Sequence, residues 1–264
     1  MYDFNYHRPK SLADAAKLLG GREEAKLVAG GMTLIPTLKQ RLARPSDLID
    51  LGGIGELKGI KREGNALVIG AMTPHAEVAG SPEVKKAIPA LAALAEGIGD
   101  PQVRNRGTIG GSIANADPAA DYPAAVVGLG ATVITNKRKI AADDFFKGLF
   151  ETALQAGEIV TAVSFPIPEK AAYAKFPNPA SRYAIVGVLA AKTGGGARVA
   201  VTGAGPSVFR FKAAEEALAK SWSAAALGGL KVAQAGLNSD IHASAEYRAH
   251  LVGVMAKRAV QAAG

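Results

Sequence analysis

The sequence predicts an α+β protein of two domains, 264 residues long. In the first part of the chain, short strand-like segments alternate with helical segments, which is typical of α/β units. Near residue 170 the pattern changes, and two strand-like segments joined by glycines are followed by two helical segments. Glycine and proline are abundant, with 31 and 14 residues, so many turns are expected.

The first α/β unit spans residues 10–52. Ser11 is placed to cap a helix over LADAAKLLG, which Gly20 and Gly21 end. The apolar segments AKLVAG and DLIDL predict buried strands, and TLIPTLKQRLA between them predicts a helix with a leucine at every fourth position.

The next unit begins with a hairpin in LKGIKREGNALVIGAMT, turned at residues 63–65. SPEVKKAIPALAALAEGI predicts helices interrupted near its two prolines. AAVVGLGATVITN predicts a buried segment followed by a strand, and EIVTAVSFPIP predicts a final strand. In the last part of the chain, RYAIVGVLAAKT and GARVAVTGAG predict a hairpin around residues 194–196, and helices are expected near residues 212–220 and 245–262.

Composition disfavours several function classes. The formal net charge is +8, but the basic residues are scattered and only 6% of residues are aromatic, which disfavours nucleic acid as a partner. A small phosphate-bearing ligand or an acidic protein partner suits the charge as well.

No apolar run is long enough for a membrane span, and the first residues lack the apolar stretch of a secretory signal, so a cytoplasmic location is expected.

Residues that commonly carry chemistry are sparse. The chain has no cysteine, and hence no disulfide, no thiolate nucleophile and no iron–sulfur ligation of its own. Its four histidines lie far apart without the spacing of a metal site, and no serine lies in a Gly-x-Ser-x-Gly motif. No catalytic residue and no metal ligand are therefore predicted.

Two glycine-rich segments are the strongest candidates for a binding site. AGGMT (residues 29–33) lies between a strand and a helix, where Gly30 and Gly31 can take positive φ and Thr33 can cap the helix. Free backbone N–H groups at such a helix start favour an anion.

The second segment, TIGGS (residues 108–112), offers another glycine pair between two hydroxyls. Asn115, Asp117 and Asp121 follow and could bond hydroxyl and amide groups of a ligand. Neither segment is a Gly-x-Gly-x-x-Gly or P-loop motif, and each glycine pair alone is also compatible with an ordinary tight turn. Together, two amide-lined segments could share a diphosphate.

Longer stretches around both segments resemble a known family. KLVAGGMTLIPTLKQRLARPSDLIDL and DPQVRNRGTIGGSIANADPAADYPAA are similar to the two FAD motifs of the flavoprotein (medium) subunit of molybdenum hydroxylases, the family of aerobic carbon monoxide dehydrogenase and xanthine dehydrogenase. NYHRPKSLADAAKLL near the start and SAEYRAHLVGVMAKRAV near the end extend the resemblance, in order, over nearly the whole chain.

The resemblance implies a fold. Residues 1–168 would form a PCMH-type FAD-binding domain with α/β subdomains at about 1–52 and 53–168. Residues 169–264 would form the family's C-terminal domain, a three-stranded antiparallel sheet with a helical bundle.

It also implies a function. The chain would be an electron-transfer subunit, taking electrons from a small subunit with [2Fe–2S] clusters and passing them through FAD to an outside acceptor. A large subunit would hold the molybdenum cofactor and the substrate, and the assembly would be a dimer of heterotrimers.

Sixteen positions are implied as cofactor-binding. Asp121 matches a carboxylate that bonds FAD. Val160 matches a position whose backbone faces the flavin ring, and Tyr183 matches a tyrosine that lies against the ring. Met32 stands where the carbon monoxide enzymes often have histidine. The full set is Ala29, Gly30, Gly31, Met32, Thr33, Thr108, Ile109, Gly110, Gly111, Ser112, Asn115, Asp117, Asp121, Val160, Lys175 and Tyr183.

Two other hypotheses remain beside this one. A self-contained flavin enzyme would need a general base over the flavin, and the sequence offers no good candidate. A cofactor-free interaction protein with the same fold would need broken glycine motifs, whereas both motifs are intact.

Overall fold

The computed structural model describes residues 1–264 and shows an α+β protein. The α-helices are α1 (Leu12–Gly20), α2 (Leu34–Lys39), α3 (His75–Gly80), α4 (Pro82–Ala87), α5 (Pro89–Glu96), α6 (Pro101–Arg106), α7 (Ile109–Asn115), α8 (Tyr122–Gly128), α9 (Ala142–Phe145), α10 (Lys212–Lys220) and α11 (Ala245–Ala263). The strands are β1 (Asn5–His7), β2 (Lys26–Val28), β3 (Asp47–Asp50), β4 (Ile60–Glu63), β5 (Ala66–Gly70), β6 (Thr132–Thr135), β7 (Lys139–Ala141), β8 (Phe146–Gly148), β9 (Glu151–Thr152), β10 (Val160–Pro166), β11 (Lys170–Pro177), β12 (Ala184–Thr193), β13 (Gly196–Thr202) and β14 (Phe209–Arg210).

The strands form three main sheets. A parallel sheet of order β1-β3-β2 carries the first unit, and an antiparallel sheet of order β4-β5-β10-β6-β7 carries the second. The third sheet, also antiparallel, has the order β11-β12-β13-β14. Between Pro166 and Lys170 the chain passes from the second sheet to the third, and we propose the domain boundary at residues 168 and 169 on that ground.

Two details differ from the sequence-based expectation. The C-terminal sheet has four strands rather than three, because Phe209 and Arg210 pair with Val201 and Ala200 at its edge. Helix α2 ends at Lys39, short of the predicted RLA, because Arg41 takes a positive φ of 61°, which a continuing helix does not allow. Leu42 is consequently exposed instead of continuing the leucine face.

Several predicted signals are confirmed at their positions. Ser11 caps α1, with its Oγ accepting the backbone N–H of Asp14. Pro82 and Pro89 each begin a helix, α4 and α5, at the position where proline is tolerated. Glu63 pairs with Ala66 across a two-residue turn.

The two domains share buried surface through β12. On one face of this strand Leu189 and Ala191 pack in the core of the second unit, and on the other face Val188 and Ala190 pack under α10 and α11. Helix α8 is buried along its entire length and lies against β12 and β13. No helix of the chain combines the length and apolar character needed to cross a membrane.

Backbone hydrogen bonds also link the two domains. The N–H groups of Ala184 and Gly203 donate to the carbonyl oxygens of Ala119 and Pro118, at 3.1 and 2.7 Å. The turn before Asp121 is thereby tied to the ends of β12 and β13.

Candidate functional site

One cavity of about 530 Å³ receives residues from both domains. Its walls come from the loop between β2 and α2, from the start of α7, and from the loop that joins β11 to β12. This is the size range of sites for small organic ligands and cofactors.

The loop between β2 and α2 presents unpaired amides. The backbone N–H groups of Gly30, Gly31, Met32 and Thr33 have no acceptor within the chain. All four residues line the cavity. Consecutive free backbone N–H groups at a cavity form a concave anion-binding surface and indicate an anionic ligand.

Glycine is required in this loop by close packing. A Cβ at Gly30 would lie 1.9 Å from the carbonyl oxygen of Arg106 and 2.8 Å from Cα of Gly107. Gly31 has a φ of 75°, which favours glycine, whereas Gly30 does not take the positive φ that the sequence allowed. The missing side chain at Gly30 therefore lets the first glycine segment lie directly against the residues that precede the second.

The expected cap by Thr33 is wrong. Its side chain accepts no hydrogen bond from α2, and its φ and ψ of −102° and −48° are helical rather than extended. Its carbonyl oxygen accepts the Thr37 side-chain hydroxyl instead. The Thr33 hydroxyl thus forms no cap, and the residue lies exposed at the cavity.

The second glycine segment is not a row of free amides, contrary to the expectation of two amide-lined segments, because only the N–H of Thr108 has no acceptor in the chain. The N–H groups of Ile109 and Gly110 donate to the carbonyl oxygens of Thr73 and Ala71, at 3.2 and 2.8 Å. A Cβ at Gly110 would lie 2.4 Å from Cβ of Ala71, so this glycine is required by packing.

Side chains supply the polar surface of this segment. Thr108 caps α7 by accepting the N–H of Gly111 at 3.1 Å, which leaves its hydroxyl proton available. Ser112 and Asn115 line the cavity and have no side-chain partner in the chain. The segment can therefore bond a ligand through hydroxyl and amide side chains.

Asp121 is a buried carboxylate at the cavity, 5% exposed. Its Oδ1 accepts the Tyr173 hydroxyl at 2.5 Å and its Oδ2 accepts Nζ of Lys175 at 3.1 Å. Burial raises the pKa of Asp121, while the charge and hydrogen bonds of Lys175 and Tyr173 act in the opposite direction. Asp117 also lines the cavity, and partial burial raises the pKa of its carboxyl.

Lys175 lies behind Asp121 and not in the cavity wall. Besides the carboxylate, its Nζ donates to the carbonyl oxygens of Gly97 and Arg182, at 2.8 and 3.0 Å. All three ammonium protons are used in this way, so Lys175 fixes the surroundings of Asp121.

Tyr183 lies at the cavity, 43% exposed, at the end of the loop after β11. Partial burial first, and then the charge of Asp117, raise the pKa of its hydroxyl. Val160 also lines the cavity, as the first residue of β10.

The structure brings fourteen of the sixteen predicted residues to this cavity, all but Ile109 and Lys175. Ile109 is fully buried in the core of the second unit. Residues that sequence reasoning did not select also line the cavity, among them His75, Ile98, Gly99, Val103 and Arg182. They carry no motif, and only their placement by distant elements identifies them.

Comparison with known proteins gives two family matches in order along the chain. Residues 2–168 match the FAD binding domain in molybdopterin dehydrogenase, and residues 171–263 match the CO dehydrogenase flavoprotein C-terminal domain.

Full-length relatives agree with these matches. The chain is 37% identical to the carbon monoxide dehydrogenase medium chain of Hydrogenophaga pseudoflava and 37% identical to the nicotine 6-hydroxylase medium subunit of Paenarthrobacter nicotinovorans. Each alignment covers 98% of this chain and 96% of the relative.

Solved structures share the fold. The reconstituted CO dehydrogenase from Oligotropha carboxidovorans matches with a TM-score of 0.92 and 38% identity, over 99% of this chain and 98% of that one. Quinoline 2-oxidoreductase from Pseudomonas putida 86 matches with a TM-score of 0.89 and 33% identity, over 99% and 97%.

Proposed function

Because the chain belongs to the family of FAD-binding medium subunits of molybdenum hydroxylases, we propose that it transfers electrons from an iron–sulfur subunit to an external acceptor. FAD is its cofactor, and the complex to which it contributes is an oxidoreductase. Bound FAD supplies the redox chemistry, since it can exchange electrons singly or in pairs.

One observation carries the proposal, the row of unpaired amides of residues 30–33, which line the cavity. A diphosphate offers several anionic oxygens, which suit consecutive N–H donors. These amides would hold the diphosphate of FAD, and the hydroxyl and amide side chains of Thr108, Ser112 and Asn115 would bond its polar groups.

The remaining wall would orient the cofactor. Asp121 is held by Tyr173 and Lys175, so its carboxylate would accept a hydroxyl of the cofactor from a fixed position. Tyr183 would cover one face of the flavin from the C-terminal domain. Val160 would present its backbone from the other side of the cavity.

We also propose the partners. A large subunit with the molybdenum cofactor and a small subunit with [2Fe–2S] clusters would join this chain as a dimer of heterotrimers, in the cytoplasm. The relatives, which are named as medium chains or subunits, support the part of this proposal that makes the chain one subunit of a larger enzyme.

The cofactor proposal is tested on the purified full chain. We expect a flavin absorption spectrum and, after denaturation, release of one FAD per chain, identified by chromatography against FMN. A colourless chain that also fails to take up added FAD would contradict the assignment of the cavity.

Electron transfer is tested by co-expression with the neighbouring genes. We expect this chain to co-purify with an iron–sulfur chain and a large chain, and the flavin absorption to bleach when the iron–sulfur clusters are reduced. Isolation of the FAD-loaded chain alone, with its flavin reduced directly by a substrate, would favour a self-contained flavin enzyme instead.

A further inference from the structure

His75 is a buried histidine in the cavity wall that the site described above does not use. It is the first residue of α3 and is 5% exposed. Neither ring nitrogen has a hydrogen-bond partner in the chain, and Nδ1 is completely closed off from solvent. An unpaired ring nitrogen that the chain does not seal, at the wall of a cavity, is available to bond a ligand.

The ring is fixed in place. The backbone N–H of His75 donates to the carbonyl oxygen of Gly107 at 3.0 Å, and a Cβ at Gly107 would lie only 2.6 Å from Nε2. On another side the ring lies 5.3 Å from that of Tyr122, whose buried hydroxyl is also unpaired. Only Nδ1 is sealed, so Nε2 is the ring nitrogen left for a ligand.

The position relates His75 to the loop of free amides. Gly107 lies between them, since a Cβ at Gly30 would approach Cα of Gly107 to 2.8 Å. Only Gly107 therefore separates His75 from the proposed diphosphate site. A ligand group bound there would belong to the part of FAD that adjoins the diphosphate.

The protonation state of His75 indicates which kind of ligand group it can bond. Burial first, and then the nearby charge of Arg104, lower the pKa of His75 to about 4, so the ring is neutral at neutral pH. A neutral imidazole has one donor and one acceptor nitrogen. A hydroxyl can serve either of them, whereas a phosphate group would favour the protonated ring.

Building on the proposed FAD site, we propose that His75 is a further cofactor-contacting residue whose Nε2 forms a hydrogen bond with a hydroxyl of the ribityl chain of FAD. The ribityl chain and the adenosine ribose both adjoin the diphosphate and carry hydroxyls, and ADP, which contains only the ribose, separates the two.

The test uses the full chain freed of flavin and titrated with FAD and with ADP, which has the diphosphate but no ribityl chain. His75→Phe keeps a ring of similar size without nitrogens, and His75→Gln places an amide nitrogen near the position of Nε2. His250→Phe, on an exposed face of α11, is the matched control. Thermal unfolding of each flavin-free variant monitors the fold.

We expect His75→Phe to weaken FAD binding about 10-fold or more while ADP binding stays as in the wild type. His75→Gln should recover most of the lost affinity, and His250→Phe should behave as the wild type.

Wild-type FAD affinity in His75→Phe would overturn the proposal. So would an equal loss of FAD and ADP affinity, since His75 would then contact the half of FAD that ADP shares, or act on the amide loop or the fold. A wild-type chain that binds no FAD would instead overturn the proposed function, so the two failures are distinguishable.

Discussion

Gly30 determines the geometry of the site through the side chain it lacks. Its Cα faces the carbonyl oxygen of Arg106, and no other residue leaves room for that approach. The first glycine loop can then lie against the residues before α7 while its residues line the cavity and their amides stay unpaired.

We therefore expect Gly30→Ala to force the two loops apart. The added Cβ overlaps backbone atoms, which cannot rotate away, so the free energy of unfolding should fall by roughly 1–3 kcal/mol. FAD affinity should fall by more than about 10-fold, because the amides lose their alignment. Denaturant unfolding and FAD titration measure the two effects.

Gly20→Ala is the matched control, since a Cβ at Gly20 has no atom within 4 Å. It ends α1, where alanine is tolerated, so unfolding and FAD binding should change little. Equal behaviour of the two variants would refute the packing role of Gly30.

Single residues also show which features of the site could be predicted from the sequence. The sequence could single out both glycine pairs, because positive φ and close approach are properties of glycine itself. It could not tell free amides from occupied ones, because the acceptors for Ile109 and Gly110 come from Thr73 and Ala71, more than thirty residues away. The role of His75 escaped prediction for the same reason.

At the scale of elements, the tip of the β6–β7 hairpin is joined to the start of β10. Glu158 is buried and accepts hydrogen bonds from Arg138, from the Thr135 hydroxyl and from the N–H of Gln155. These bonds place the next residues, Ile159 and Val160, in the cavity wall.

Stability should therefore depend on pH through Glu158. Hydrogen bonding from Arg138, outweighing burial, lowers the pKa of Glu158 from 4.5 to about 2. The folded-state pKa is the lower one, so the stabilisation is complete above about pH 4.5 and is lost as the pH falls toward 2.

Glu158→Gln should lower the free energy of unfolding by about 2 kcal/mol at neutral pH, after allowance for the partly exposed Arg138. It should also flatten the dependence on pH in this acid range. Glu169→Gln, which breaks an exposed pair with Lys192, is the control and should change little. An unchanged acid profile in Glu158→Gln would contradict the assignment.

A second element, the loop after β11, is held by Lys175. The ammonium group bonds the Arg182 carbonyl oxygen, and the Arg182 side chain bonds the Gly99 carbonyl oxygen of the first domain. Lys175→Met should loosen this loop, because it removes three hydrogen bonds and leaves Asp121 without its counterion.

We expect amide hydrogen exchange of residues 178–184 to become about 10-fold faster or more in Lys175→Met. Lys192→Met, on the neighbouring strand with an exposed partner, should leave that exchange unchanged. Unaltered protection in Lys175→Met would mean that the loop is held by its own turn, in which Asn178 accepts the N–H groups of Ala180 and Ser181.

Element type was predictable where local signals agreed, and element ends were not. The hairpin of β12 and β13 was predictable from two apolar runs around three glycines, and its register pairs Thr193 with Gly196. The edge strand β14 could not be predicted, because two residues carry no periodicity and only the partner strand defines them.

At the scale of the whole molecule, the two domains are joined by buried packing between α8 and the C-terminal sheet. Residues of β12 pack on both sides, and α8 of the first domain is buried against the C-terminal sheet. A Cβ at Gly128 would lie 2.6 Å from Cδ2 of Leu189, so the two surfaces are in tight contact.

We expect the flavin-free chain to unfold in one cooperative transition, because β12 and α8 each lose buried packing partners when the other domain unfolds. Calorimetry should give equal calorimetric and van't Hoff enthalpies. Two resolved transitions would contradict this coupling between the domains. Gly128→Val should lower the midpoint temperature without splitting the transition.

The hydrogen bonds from Ala184 and Gly203 to residues 118 and 119 have a consequence for protein engineering. The turn that leads into Asp121 is shaped by strand ends from the other domain. A chimera of two related subunits joined at residue 168 would separate this turn from its partners. Grafts that exchange the C-terminal region should therefore take residues 118–121 from the same parent, and libraries of recombined subunits should treat these two distant segments as one inherited block.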